Sequence, residues 1–250
     1  MTTVLETRGL RKTFGGFIAT NDVSLTLTQG ERHALIGPNG AGKTTLINLL
    51  TGVLAPTEGA ILLDGVDVTR APRHERVKRG LVRTFQINQL FPDLTPLESV
   101  LLAIYEREGT ARRFLAPVGT KKALTDEAAD LLERLGLARD MTRRTGDLAY
   151  GRQRLVEVAI ALACKPKVLL LDEPAAGVPK GESEDILAMI ADLPKDVTVL
   201  MIEHDMDLVF RFAEKITVLV SGAIAVEGTP ESVRSDPKVK EVYLGSAGHG

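Results

Sequence analysis

The sequence predicts an α/β fold: a buried parallel sheet carrying a glycine-rich loop, an antiparallel β subdomain in the N-terminal part and an inserted α-helical subdomain. Three observations lead there. The stretch Ile36-Gly37-Pro38-Asn39-Gly40-Ala41-Gly42-Lys43-Thr44-Thr45 lies between a strand-like run, Glu31 to Ile36, and a helix-like run, Lys43 to Thr51, whose Leu46, Ile47, Leu49 and Leu50 turn inward. The apolar runs Val168 to Leu171 and Val197 to Ile202 read as strands covered on both faces. Residues 87–150 interrupt the strand–helix alternation with helical patterns and loops.

The glycine-rich stretch fits G-x-x-x-x-G-K-[ST], the phosphate-cradling loop of nucleotide triphosphatases, in the strand–loop–helix context that motif requires. Loop amides converge on phosphate oxygens, and the helix that follows points the positive end of its dipole at them. Lys43 supplies a charge for the outer phosphates, and the Thr44 hydroxyl suits Mg²⁺.

Composition narrows the class. A chain of 250 residues with 44% hydrophobic residues builds one large domain, or a domain with a subdomain, and not a disordered chain. A net charge of -2 offers no broad basic field for nucleic acid. Cys164 is the sole cysteine, reads as a small buried hydrophobe and suits a reducing compartment. Met1 to Glu6 lacks the basic and apolar regions of a signal peptide, and no apolar run nears the ~18 residues of a membrane span. The expectation is a cytosolic chain that can still dock on a membrane protein.

Element by element, Val4 to Leu10 and Val23 to Thr28 read as strands, the second alternating strictly. Between them, Phe14 beside Gly15 and Gly16 fits either a purine-stacking ring or a phenylalanine at a hairpin tip or in the core. Ala60 to Leu63 is a short strand, Asp64-Gly65 a turn, and Pro72 to Arg79 a short basic helix. Leu81 to Gln86 is a strand whose last residue, Gln86, fits a metal or water contact at a carboxyl end, or a plain surface glutamine. Leu97 to Glu108 is a helix, Gly109 to Gly119 an exposed loop, and Thr125 caps a helix that ends at Gly136. Leu148 to Arg154 opens a buried helix, Leu155 to Ala163, and its start fits a second anion site or an ordinary helix start. After Val168 to Leu171 come Asp172, placed for a Mg²⁺ beside Thr44, and Glu173, placed to accept a proton from an attacking water. Lys180 to Leu193 is an amphipathic helix. His204 follows the strand Val197 to Ile202, where it serves either structure or the γ-phosphate. A hairpin about Ser221-Gly222, two short helices and a loose tail, Ser246 to Gly250, complete the chain.

Taken in this order, the motifs resemble the ATP-binding cassette (ABC) ATPases over essentially the whole chain. The wording of Val82-Arg83-Thr84-Phe85-Gln86, Leu148-Ala149-Tyr150-Gly151, Asp172-Glu173-Pro174-Ala175-Ala176-Gly177, Ile202-Glu203-His204-Asp205-Met206 and Gly228-Thr229-Pro230 is similar to the ATP-binding subunits of bacterial branched-chain amino-acid uptake transporters. The resemblance implies one ABC ATPase domain over 1–250, with a catalytic core in 1–86 and 151–250 and a helical subdomain in 87–150. It implies ATP and Mg²⁺ as cofactors. Phe14 would stack on adenine, Lys43 hold the β- and γ-phosphates, and Thr44, Gln86 and Asp172 serve Mg²⁺. Glu173 would be the general base and His204 the γ-phosphate sensor, while Ala149, Tyr150, Gly151 and Arg152 form a signature segment that closes over the ATP of another subunit. Implied partners are a second ATP-binding subunit in a homo- or heterodimer, transmembrane permeases and, indirectly, a substrate-binding protein. The implied location is the inner face of the cell membrane.

Two departures stand out. Ala149-Tyr150 replaces the usual Ser-Gly of the signature, which is common in the branch named, and Val178-Pro179 replaces Leu-Asp or Leu-Asn, which removes a polar group that would signal across the dimer. Other readings are a non-transport ABC ATPase acting on ribosome or DNA, and a pseudo-ATPase. The first lacks a second cassette or heptads in this chain, and the second is opposed by intact Lys43, Asp172, Glu173 and His204. For an importer, branched-chain amino acids are the default cargo by resemblance, with other amino acids, amides, urea or aromatic acids as alternatives.

Overall fold

The computed structural model describes residues 2–84, 90–109 and 122–244. Expectations that fall on Phe85 to Gln89, on most of Gly109 to Gly119 and on Ser246 to Gly250 lie outside these residues, Gln86 included. In chain order the elements are β1 (Thr3–Phe14), β2 (Phe17–Val23), β3 (Thr26–Thr28), β4 (Arg32–Ile36), α1 (Lys43–Leu50), β5 (Glu58–Leu63), β6 (Val66–Asp67), α2 (Arg73–Lys78), β7 (Leu81–Arg83), α3 (Pro96–Arg107) and α4 (Lys122–Arg134). There follow α5 (Tyr150–Ala163), β8 (Val168–Asp172), α6 (Lys180–Ala191), β9 (Thr198–Ile202), α7 (Met206–Phe212), β10 (Lys215–Val220), β11 (Ala223–Gly228), α8 (Pro230–Ser235) and α9 (Pro237–Leu244).

Two sheets enclose α1. The larger has the order β11-β10-β4-β9-β8-β7, parallel except for the β10–β11 hairpin. The smaller is antiparallel, with β2, β3 and β5 pairing β1 and β6 pairing β5. Strand alternation divides the core between the two faces of the larger sheet. Ala34, Ile36, Leu169, Leu171, Val199 and Met201 face one apolar cluster, shared with α3 to α7. Leu35, Val168, Leu170, Leu200 and Ile202 face the other, together with Leu46, Ile47, Leu49 and Leu50 of α1 and with the antiparallel sheet. The continuous apolar runs therefore serve two cores at once, as a doubly covered parallel strand requires.

Several boundaries differ from the sequence expectation, among them that β1 runs on to Phe14 and β7 ends at Arg83, and four differences have a local reason. Val23 to Thr28 keeps its inward alternation, yet it is divided between β2 and β3. There the Thr7 hydroxyl donates to the Val23 carbonyl at 2.9 Å and accepts from the Leu25 amide at 2.8 Å, beside the backbone bond from the Thr7 amide to the Leu25 carbonyl. Phe17 to Val23, not foreseen as a strand, returns antiparallel on β1 through the Gly15-Gly16 turn. Thr125 lies inside α4, which starts at Lys122, so it is not the cap. The far end of α4 is as expected: Gly136 takes φ 67°, with Gly136 N–H on Glu133 and Leu137 N–H on Leu132, the paired bonds that close a helix in the left-handed conformation. Finally, α5 begins at Tyr150, five residues before Leu155, because Gly151 to Arg154 continue its hydrogen-bonded turns from Ala149.

Buried charges tie the layers together. Arg76, from α2, is fully enclosed and donates to the Leu49 and Leu50 carbonyls at 2.7 and 2.6 Å, closing the C-terminal end of α1. In β4 of the larger sheet, His33 is sealed from solvent between Glu31, 2.6 Å from Nδ1, and the Thr217 hydroxyl of β10, 2.8 Å from Nε2. Burial alone pushes the Glu31 carboxyl up, but its hydrogen bonds with His33 and with the Thr28 hydroxyl and amide outweigh this and hold it at about 2, against 4.5.

The sign of the linkage follows: a carboxyl whose folded pKa is depressed stabilises the fold above about 4.5, and the contribution is lost as pH falls towards 2. Glu31→Gln is expected to lower stability near neutral pH by on the order of 2–3 kcal/mol. It should also flatten the acid-side loss in that window. Thermal unfolding followed by circular dichroism across pH checks this, and an unchanged acid slope would count against it.

Candidate functional site

The parallel register of β4, β9 and β8 brings three strand ends to one edge, and the candidate site is built there. Past Ile36 the chain turns through Gly37 to Gly42 into α1. The loop is clamped on two sides. A Cβ at Gly42, where φ is 99°, would stand 2.4 Å from the Ala19 carbonyl oxygen of β2, and one at Gly37 would stand 2.2 Å from that of Leu219 in β10. The Gly222 amide donates to Ala41 at 3.0 Å, which stitches the β10–β11 turn to the loop. No side chain caps α1 at Gly42, and its first turn carries no acidic residue, so the positive end of the helix is open to an anion. Asn39, Gly40 and Thr44 are exposed, Pro38 and Thr45 half-buried, and Ala41 is buried.

Lys43 Nζ lies across this loop, donating to the Gly37 and Pro38 carbonyls at 2.6 and 3.1 Å. Burial pushes its ammonium down from the usual range, while the carboxylates of Glu173 and Asp172 pull the other way. The ammonium is a compact point charge with three donors, of a kind that suits phosphate oxygens as well as carbonyls.

On the neighbouring strands, Asp172 is the last residue of β8 and pairs in register with Ile202 of β9. Glu173 follows with its amide on the Ile202 carbonyl at 2.9 Å and with a left-handed φ of 51°. A non-glycine residue in that region holds local strain, which turns the side chain out of the strand direction. The Glu173 carboxylate meets His204 Nε2 at 2.6 Å, with the imidazole 47% and the carboxylate 19% exposed. The sequence placed both residues at strand ends, and the structure joins them directly.

Three further residues complete the cluster. Glu203 is buried and accepts from the Ala175 and His204 amides, each at 3.1 Å, so one carboxylate fixes both the turn after Glu173 and the backbone of His204. Burial pushes its carboxyl up, and the two amides oppose this. Arg83, the last residue of β7, donates to Asp172 Oδ2 at 2.5 Å and to Asn48 Oδ1 at 2.8 Å. None of Glu203, Arg83 and Asn48 carried a signal read from the sequence. Glu203 and Arg83 stand inside quoted motifs, but only the strand register shows what they touch.

The outlying residues divide. Phe14 sits at the tip of the β1–β2 hairpin, 48% exposed, with Lys12 Nζ 5.1 Å from its ring centre, so it is a hairpin-tip residue that also offers an open aromatic face. Ala149 and Tyr150 are exposed at the start of α5, which has no side-chain cap and no acidic residue in its first turn. Gly151 is buried, and a Cβ there would stand 2.6 Å from Glu182 Oε2. Arg152 turns its guanidinium to the Gly136 carbonyl at 2.6 Å, which leaves its backbone amide at the helix start. Tyr150 packs over Gly177, with Arg154 above its ring at 5.1 Å.

These donors suit a Mg–nucleotide. Among the described residues no three His, Cys, Asp or Glu side chains gather to hold a metal on their own. A hydroxyl from Thr44 and a carboxylate from Asp172 are hard oxygen ligands of the kind Mg²⁺ shares with phosphates.

Comparison with known proteins agrees with this geometry. The ABC transporter family matches residues 20–176, and a family described as branched-chain amino acid ATP-binding cassette transporter matches residues 225–249. The high-affinity branched-chain amino acid transport ATP-binding protein BraF of Pseudomonas aeruginosa is 42% identical over 251 residues, 98% of each chain. The crystal structure of the ADP conformation of MJ1267, an ATP-binding cassette of an ABC transporter, superposes with a TM-score of 0.87 at 35% identity, covering 98% of this chain and 100% of that one. The dimeric structure of MJ0796, a bacterial ABC transporter cassette, does so with a TM-score of 0.76 at 27% identity, covering 90% and 98%. A phosphate loop clamped between two sheets, a strand-end carboxylate joined to a histidine, and a family match spanning most of the chain agree: this protein belongs to the ABC transporter family and carries its ATPase domain.

Proposed function

We propose that this chain is the ATP-hydrolysing motor of an importer for branched-chain or related amino acids. The observation that carries the chemistry is the 2.6 Å contact between Glu173 and His204 on the edge that also holds Lys43. ATP, when bound, supplies the phosphoanhydride bond that is cleaved, and Mg²⁺ the charge that its phosphates require. Lys43 leaves its loop carbonyls for the outer phosphates, and the open start of α1 binds them through backbone amides. Glu173 accepts the proton of the attacking water at its carboxylate. His204 orients that carboxylate and is itself held through Glu203, which accepts from its amide. The exposed Phe14 ring stacks on adenine. Thr44, Asp172 and Gln86 serve the metal, Gln86 lying outside the described residues.

The uncapped start of α5, with Ala149, Tyr150, Gly151 and Arg152, receives the nucleotide of a second ATP-binding subunit, homologous or identical. A head-to-tail pair with two-fold symmetry then uses both anion-binding helix ends of each chain. The dimer of the related cassette MJ0796 supports this reading. The cargo is argued from the names of relatives such as BraF and from the match at 225–249. Among the described residues no helix is long and apolar enough to cross a membrane. Relatives are named as transport ATP-binding proteins, and on that reading the motor works with transmembrane permeases and an external binding protein at the inner face of the membrane.

The permeases' docking place is the groove between α2, β7 and α3, a cavity of about 610 Å³ lined by Val77, Leu90, Phe91, Leu102 and Ile160 among others. Within the expected 87–100 stretch, Phe91 is 66% exposed, whereas Leu94 is half-buried and Leu97 packs on the helical core. This reading keeps 87–150 as the helical unit that meets the partner.

Glu173→Gln should slow phosphate release by about 10² or more, as loss of a general base does, while ATP still binds. The variant should also collect as an ATP-held dimer in size-exclusion chromatography. Normal turnover would make Glu173 a mere solvated carboxylate. Phe91→Asp should leave the ATP turnover of the isolated subunit intact and abolish its stimulation by permease. Stimulation that survives would place the docking groove elsewhere.

A further inference from the structure

Arg83 occupies the carboxylate that the metal needs. Its two terminal nitrogens span from Asn48 Oδ1, at 2.8 Å, to Asp172 Oδ2, at 2.5 Å. Thr44 and Asn48 are four residues apart on α1 and share one helix face, so the guanidinium bridges the face that carries Thr44 to the carboxylate at the end of β8. The pair is withdrawn from water, with Arg83 15% and Asp172 4% exposed in their side chains. Around it, Lys43 and Arg83 stand against Asp172 and Glu173, two cations facing two anions.

We propose that Arg83 is the cation that a magnesium ion must displace from Asp172, so that this ion pair sets the metal concentration at which the site fills. The inference rests on the reading that Asp172 serves the metal. A divalent ion brought to a carboxylate already carrying a guanidinium meets like-charge repulsion at short range, in a place where water screens poorly. The repulsion is relieved when Arg83 lets go of Asp172. Asn48 then remains as its acceptor, so the side chain swings about a tether instead of entering solvent freely. A compact ion also fits the carboxylate and phosphate oxygens together, which the planar guanidinium cannot do. Arg83 thus acts as a placeholder. It keeps a buried carboxylate compensated until metal arrives with nucleotide, and it lowers the affinity of the site for metal alone.

The test uses the full chain and metal binding, not turnover. Mn²⁺ is titrated into protein with saturating ADP, and free Mn²⁺ is followed by electron paramagnetic resonance. With Arg83→Gln the apparent metal dissociation constant should fall roughly tenfold or more, because the buried carboxylate has lost the cation that is hydrogen-bonded to it. Affinity for ADP in EDTA should stay unchanged. In metal-free buffer the variant should melt lower than the wild type and recover more on adding Mn²⁺. Arg83→Lys, which keeps the charge without the bidentate reach, should fall between and serves if the glutamine variant does not fold. Metal affinity that is unchanged or weaker in these variants overturns the proposal, since Arg83 would then orient Asp172 or only support the fold. Asp172→Asn separates the two levels. If it abolishes metal binding while the Arg83 variants have no effect, only the placeholder role fails. If it leaves metal binding intact, the placement of the metal fails, and this inference with it.

Discussion

The pairing of β4 with β9 and of β9 with β8, all parallel, is the constraint on which the rest of the molecule depends. It sets Leu35, Ile202 and Asp172 level at one edge of the sheet, with Ile36 one residue beyond. From that edge the chain leaves three times, into the phosphate loop, into Glu173 and into Glu203-His204. A slip of one residue in β8 would turn Asp172 to the opposite face and exchange the two apolar clusters that its neighbours serve. Chemistry and core are therefore specified by the same register. The burial of Leu169, Leu170, Leu171, Val199 and Leu200 on both sides is what makes that register costly to change.

Much of this was legible in the residues because the features concerned are local. A glycine-rich loop between strand and helix, an apolar run ending in Asp172-Glu173, and an alternation such as Val23-Leu25-Leu27 all state their environment within ten residues. The difficulties arose where a distant side chain decides a local outcome. Nothing near Val23 reveals that the Thr7 hydroxyl takes up the Val23 carbonyl and the Leu25 amide where β2 gives way to β3. The early start of α5 was obscured because Ala149 lacks a side-chain cap, and an uncapped start is what an anion-binding helix end requires. Arg83, Asn48 and Glu203 were missed for a similar reason. Each is an ordinary polar residue in sequence, and its importance comes only from what the register sets opposite it.

The site is also asymmetric in stiffness. Backbone carbonyls from β2 and β10 press on the phosphate loop at Gly42 and Gly37, leaving it no room for a side chain at either point. Glu173 is held instead by its amide on the Ile202 carbonyl, its carbonyl accepting from the Ala176 amide, an imidazole and a strained left-handed conformation. The loop is fixed at two points, while the carboxylate beside it rests on a strained backbone conformation.

The contact between Arg152 and the Gly136 carbonyl has a mechanical consequence. Gly136 closes α4, and Arg152 lies in the first turn of α5, so the guanidinium bolts the end of one helix to the beginning of the next. Arg152 also stands 3.8 Å from Asp140 in the connection between them, which adds a second fastening. The uncapped start of α5 is thus carried on a bracket. A displacement of the end of α4 would therefore be passed to the first turn of α5, and with it to the direction of the backbone amides of that turn.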